Sequence, residues 1–199
     1  MRTYNFFVVE IEKTTQDTMV TESGLELYID TRFNEFEHRT QSGKVIAVPF
    51  KHDHGVKVGD ELYFHHRVVL QEGQALTGYD NHYLVSYHEN DALECQAIAY
   101  KCKDTGEIHP LSSWHLIEQI QEERDEKSDS LELVEFKKKP ITKGKICFET
   151  KFTKELNVKP GDTVVFMKNH DYDVLVDGKP YGRVPTQSLL YVEEEVHND

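Results

Sequence analysis

An all-β fold made of two tandem copies of one domain is predicted by three observations. The first is a Gly-Asp turn written twice: Val56-Lys57-Val58-Gly59-Asp60 runs into Glu61-Leu62-Tyr63-Phe64, and Val158-Lys159-Pro160-Gly161-Asp162 runs into Thr163-Val164-Val165-Phe166. Glycine supplies the positive φ of such a turn and aspartate its local hydrogen bond. The second is that other landmarks recur with the turn in the same order. Gly43-Lys44-Val45-Ile46 and Gly144-Lys145-Ile146 lie upstream of it, then Leu25-Glu26-Leu27 and Leu131-Glu132-Leu133, then the apolar runs Phe6–Ile11 and His115–Ile120, with matching positions 101 to 108 residues apart. A drift confined to loops is what insertions in surface connections produce. The third is that the apolar runs are short and bounded by Gly, Asp and Asn, without the strand-helix alternation of a βαβ chain.

Taken in order, Phe6–Ile11 reads as the first strand of a domain spanning residues 1–107. The polar interval Lys13 to Ser42 is long for a connection in a compact β domain, and such intervals are usually functional or disordered. Inside it, Gly24-Leu25-Glu26-Leu27-Tyr28-Ile29 has period two, which places Leu25, Leu27 and Ile29 on one side of an extended segment and Glu26 and Tyr28 on the other. Two readings fit this island: a short hairpin strand packed on its own domain, or a flexible loop whose leucines are held for a partner. Strands follow at Gly43–Val48, Glu61–Val69, His82–Tyr87 and Leu93–Tyr100, and the tight turn Asp104-Thr105-Gly106 puts the domain boundary near Glu107. No Pro/Ser-rich linker intervenes, so the copies are expected to be closely coupled.

The second domain, 108–199, opens at Ile108-His109-Pro110-Leu111 and continues into Trp114–Ile120. Its loop, Gln121 to Ser130, is densely charged, a composition that resists burial. Leu131-Glu132-Leu133-Val134 and the basic run Lys137-Lys138-Lys139 come next. Further strands are expected at Lys145–Glu149, Thr163–Met167, Asp173–Val176 and Ser188–Val192, with a hairpin turn at Asp177-Gly178 and an acidic tail from Glu193. The intervals Lys13–Ser42 and Gln121–Thr142 are expected to hold the most mobile segments of the free protein.

The 199 residues carry a formal net charge of -13, which disfavours nucleic acid and anionic membrane as main partners and points to a protein. Three cysteines, Cys95, Cys102 and Cys147, have no Cys-x-x-Cys spacing, so neither a disulfide framework nor a zinc knuckle is indicated. With no apolar run of membrane length and no signal-peptide pattern at Met1–Asn5, a cytoplasmic protein is expected.

The landmarks in this order resemble the GroES-type co-chaperonins. The family's opening Ile-x-Pro-Leu is matched at Ile108-His109-Pro110-Leu111, and its apolar tripeptide in a mobile loop, Gly-x-Val strand and Val-Lys-Val-Gly-Asp turn are matched from Leu25 to Phe64. The resemblance covers nearly the whole chain, once per copy. It implies two irregular β-barrels, assembly into a homo-oligomeric ring, and the capping of a GroEL-type chaperonin, which itself binds the ATP, to assist protein folding. Carried over by position, the chaperonin-binding residues are Leu25, Glu26 and Leu27 with Ile29 beside them, and Leu131, Glu132 and Leu133. Both tripeptides depart from the family in their central Glu, which in a strand points away from the two leucines and can stay solvated while they dock. Family rings are seven-fold; with two copies per chain, seven chains form two tiers, or the ring has another order, or one copy stands outside it.

A metal site and an enzyme are the two other possibilities that the residues raise. His52, His54, His65 and His66, among eleven histidines, invite a metal, but no carboxylate or cysteine spacing completes a site, so they read as surface histidines and no metal or other cofactor is expected. An enzyme is not expected either: a medium-chain dehydrogenase shares the GroES-like domain but needs a Gly-x-Gly-x-x-Gly dinucleotide half, and no Gly-x-Ser-x-Gly or other paired nucleophile is present. The alternative to a co-chaperonin is a non-enzymatic structural or adaptor protein without a chaperonin partner.

Overall fold

The computed structural model describes residues 1–15, 18–21, 23–28, 30, 38–70, 74–111, 113–121 and 141–193. The fold is all-β, with, among the described residues, two six-stranded antiparallel sheets, a separate two-stranded hairpin and one five-residue helix. The first sheet contains β1 (Phe6–Glu10), β4 (Ser42–Ala47), β5 (Glu61–Phe64), β6 (His82–Ser86), β7 (Ala97–Lys101) and β8 (Ile108–Pro110), in the order β6-β1-β4-β5-β7-β8. The second contains β9 (Trp114–Gln119), β10 (Lys143–Ile146), β11 (Thr163–Phe166), β12 (Tyr172–Val176), β13 (Lys179–Pro185) and β14 (Leu189–Glu193), in the order β12-β13-β9-β10-β11-β14. The hairpin pairs β2 (Thr18–Val20) with β3 (Glu26–Tyr28), and α1 spans Lys151–Glu155.

Five strands correspond between the sheets: β6, β1, β4, β5 and β7 stand in the same order as β13, β9, β10, β11 and β14. The two Gly-Asp turns share the same three turn-closing bonds. At the first, the Lys57 N–H donates to Asp60 Oδ2 (2.7 Å), Asp60 N–H to Lys57 O (3.1 Å) and Gly59 N–H to Val45 O (2.8 Å). At the second, the Lys159 N–H donates to Asp162 Oδ2 (2.8 Å), Asp162 N–H to Lys159 O (3.1 Å) and Gly161 N–H to Ile146 O (2.7 Å). Gly59 and Gly161 have φ of 95° and 99°, a region that an L side chain rarely adopts. The Gly-Lys pairs have a different cause. A Cβ on Gly144 would lie 2.6 Å from Ile117 Cδ1, and one on Gly43 would lie 3.0 Å from Glu10 O, so glycine there lets two strands approach with a large side chain between them.

Hydrogen bonding runs from edge to edge of each sheet, and among the described residues no pairing joins β6 to β8 or β12 to β14, so ladder closure into barrels is not observed. Several expected boundaries shift for local reasons. Ile108–Pro110, expected to open the second copy, is the edge strand of the first sheet: the Cys102 N–H donates to Glu107 O (2.9 Å) and the Gly106 N–H to Cys102 O (2.8 Å), so Asp104-Thr105-Gly106 is a hairpin turn that folds β8 back on β7, and Leu111 enters the first core. The strand expected over Glu61–Val69 stops at Phe64. His65 Nδ1 accepts from the Arg67 N–H (3.1 Å) and starts a 3-10 turn at His66–Val69, a local bond that displaces the ladder. The strand expected from Leu93 begins at Ala97, because Asp91 Oδ1 takes the Leu93 N–H (3.0 Å) into a turn. Neither β13 nor α1 was expected; α1 is capped reciprocally by Thr150 and Thr153.

Alternation along the strands divides the core in three. Phe7, Val9, Val45, Leu62, Phe64 and Val85 pack on one face of the first sheet, and Ile117, Ile146, Val164, Phe166 and Val184 on one face of the second. Between them lies a shared cluster in which Tyr63, Ile98 and Ala99 meet Trp114, Leu116, Val174, Val176 and Tyr181. Adjacent residues of one strand thus serve different cores, as Leu62 and Tyr63 do. A Lys101–Asp177 ion pair (2.6 Å) and a hydrogen bond between the Tyr172 hydroxyl and His66 Nδ1 (2.9 Å) add polar contacts between the halves. Among the described residues no helix is long and apolar enough to cross a membrane.

Candidate functional site

The segment that joins β1 to β4 is tied together at its base. At the base, Thr15 bridges Arg39, the Thr40 N–H donates to Thr14 O (3.1 Å), and the Thr40 hydroxyl donates to Lys13 O (2.5 Å). Beyond this neck the chain forms the β2–β3 hairpin, in register Thr18 to Tyr28, Met19 to Leu27 and Val20 to Glu26. Its turn is closed by Thr21: the Thr21 N–H donates to Leu25 O (2.9 Å), and the Leu25 N–H donates to Thr21 Oγ1 (3.1 Å). Gly24, at φ 80°, takes the left-handed position that this tight reversal requires. The segment is therefore a hairpin, as one of the two readings had it, but its leucines stand outside the core clusters of the described residues. Leu25 is 59% exposed, Leu27 41% and Tyr28 85%, and Glu26 is exposed as well.

Two features follow from this geometry. The period of the strand keeps Leu25 and Leu27 on the side opposite to Glu26 and Tyr28. Among the described residues no third strand pairs with this ribbon, so the same segment offers apolar anchors and an edge for strand addition. Of the other residues assigned to chaperonin binding, Ile29, Leu131, Glu132 and Leu133 lie outside the described residues.

The four histidines considered for a metal do not converge. His52 Nδ1 faces Glu89 Oε2 (3.3 Å), while His54 bonds the Pro49 carbonyl through Nε2 (3.0 Å) and accepts the Val56 N–H at Nδ1 (3.1 Å). These bonds hold His54 as the neutral Nε2–H tautomer, and burial lowers its pKa in the same direction. His65 and His66 stand elsewhere, against Tyr172 from the second half, at ring-centroid distances of 5.2 and 5.6 Å. Nor are all four on the surface, since His66 is 3% exposed. Burial first, then nearby arginine charge, pushes His65 down to about 3 and His66 down to about 4.

The stack continues beyond Tyr172 and forms a second notable site, which the sequence did not reveal. The Arg183 guanidinium lies 4.7 Å from the Tyr172 ring and 4.4 Å from the Trp114 ring, so a buried cation is sandwiched between two aromatic faces. Its contributors are drawn from strands far apart in the chain, and no spacing rule links them. The single tryptophan was the one available cue.

Comparison with models of protein families gives no match, and comparison with curated proteins finds no significant relative.

Proposed function

We propose that this protein is a non-enzymatic co-chaperonin of the GroES type, which caps a GroEL-type chaperonin ring through its projecting hairpin and assists ATP-dependent folding with the nucleotide bound by the partner. The observation that carries the reading is the exposure of Leu25 and Leu27 on the hairpin that follows the Thr15–Arg39 neck. An exposed apolar pair on a two-stranded ribbon suits docking into an apolar groove. The repeated five-strand order and the repeated Gly-Asp turn support the kinship on which the carry-over rests. Glu26, on the far side of the strand from the leucines, does not oppose docking. Leu131, Glu132 and Leu133 are proposed as the corresponding contact in the second copy, and a homo-oligomeric ring as the assembly that presents the loops together.

The test is co-sedimentation with a purified GroEL-type chaperonin, with and without ATP, followed by refolding of a chaperonin-dependent substrate. Nucleotide-dependent binding and assistance are expected only when both components are present. Refolding by the isolated chain, ATP hydrolysis by the isolated chain, or failure to bind in any nucleotide state would instead favour an adaptor without a chaperonin partner.

A further inference from the structure

The sandwiched Arg183 faces a cleft of about 510 Å³ between the two halves, lined among others by His65, Arg67, Gln74, Glu94 and Trp114. Arg183 is 6% exposed and Trp114 5%. Stacking satisfies the faces of the guanidinium but supplies no acceptor to its N–H edge. Among the described residues, three of the five buried polar atoms without a hydrogen-bond partner belong to residues of this one cleft: Arg183 Nε, Trp114 Nε1 and Gln74 Oε1. Buried polar atoms are nearly always paired, so three together point to a partner from outside the chain.

The charge balance gives the sign of that partner. Among the described residues neither Arg183 nor Arg67 forms an ion pair. Glu94, the one acidic residue among the described lining residues, is exposed and bonds to neither. The chain has 36 acidic side chains to 23 basic ones, so two arginines without a carboxylate do not reflect a shortage of acids. Burial pushes Arg183 down to about 10, still far above neutrality, so it remains a cation. The neighbouring His65 and His66 are neutral at the same pH and do not compete for an anion.

We infer that this cleft binds a small oxyanion, a molecule carrying a phosphoryl or carboxylate group. The planar guanidinium edge of Arg183 and the more exposed Arg67 take the anionic oxygens, as guanidinium forks do, and Gln74 Oε1 accepts from a donor on the ligand. Arg67 and Gln74 come from the first half and Arg183 and Trp114 from the second, so a bound ligand bridges the two. This inference stands apart from the co-chaperonin reading and survives its failure.

Trp114 is the only tryptophan, so intrinsic fluorescence reports on this cleft. The full chain is titrated separately with inorganic phosphate and with acetate, at ionic strength held constant by chloride. A saturable change is expected with at least one of them, and which one responds separates the phosphoryl from the carboxylate class. Arg67→Gln, on the surface, should weaken it at least about tenfold, the scale of one charge-assisted contact, and Arg183→Met should abolish it. If Arg183→Met does not fold, Arg67→Gln alone decides. No saturable change beyond the chloride control, or a change of equal affinity in the folded variants, would overturn the proposal.

Discussion

Replacing Leu25 and Leu27 together by alanine separates docking from folding more cleanly than any other change in this protein. Fully burying one leucine contributes about 1.5–3 kcal/mol. In the free chain Leu25 is 59% exposed and Leu27 41%, so the area still available for a partner to bury amounts to about one whole leucine per hairpin. Losing it should weaken a single hairpin's docking by about 2 kcal/mol, roughly thirty-fold. Where several hairpins of one assembly engage one target ring, the factors multiply and binding should disappear at micromolar concentrations. The fold should barely notice: both side chains lie outside the three core clusters, and exposed substitutions of this kind usually change stability by less than about 0.5 kcal/mol. The assay is chaperonin co-sedimentation with ATP, run beside a thermal melt of the same samples. A double-alanine variant that binds as well as the parent, or that melts markedly lower, would refute the reasoning and return the leucines to a structural role.

Three further outcomes are expected. Glu26→Val should preserve or tighten chaperonin binding, because Glu26 stands on the opposite side of the strand from the two leucines; weakened binding in the same assay would show that the carboxylate itself makes contact. Asp60 is 1% exposed and its side chain accepts both the Lys57 N–H (2.7 Å) and the Lys103 N–H (3.0 Å), whereas the Asp162 side chain is partly exposed and, among the described residues, accepts the Lys159 N–H alone, so chemical denaturation should show Asp60→Ala losing about 1–3 kcal/mol more than Asp162→Ala. Stability should also fall in mild acid. His66 and His115 are buried and held neutral with pKa values down at about 4, below the ordinary 6.5, so the unfolded chain takes up protons first; their contribution is complete above about pH 6.5 and is lost as pH falls toward 4. For His115, which is 1% exposed, the loss is on the order of 3 kcal/mol, and urea midpoints measured between pH 7 and pH 4 check the slope.

What could be read from the chain was whatever local chemistry dictates. The Gly-Asp turns were legible because positive φ and an aspartate-to-amide bond are properties of a few adjacent residues, and both turns form as written. The Gly-Lys pairs were legible as strand starts, although their cause, the close approach of Ile117 or Glu10 on the neighbouring strand, is tertiary. The hairpin at Leu25–Tyr28 had a period-two signal, but the exposure of its leucines depends on what the rest of the chain does not offer them. Membership of β8 in the first sheet was hidden because the same Ile-x-Pro-Leu pattern can begin one unit or finish another, and only the Cys102–Glu107 turn decides. The stack of His65, His66, Tyr172, Arg183 and Trp114 had no sequence signature at all, since it arises where strands of the two sheets come together.

Amide hydrogen exchange of the free chain, and of the chain with a GroEL-type chaperonin and ATP, tests the central claim most directly. The claim requires new protection concentrated at Thr18–Tyr28 when chaperonin and ATP are both present, with the β1–β4–β5 amides unchanged. Protection that appears elsewhere while Thr18–Tyr28 exchanges as in the free chain would contradict it.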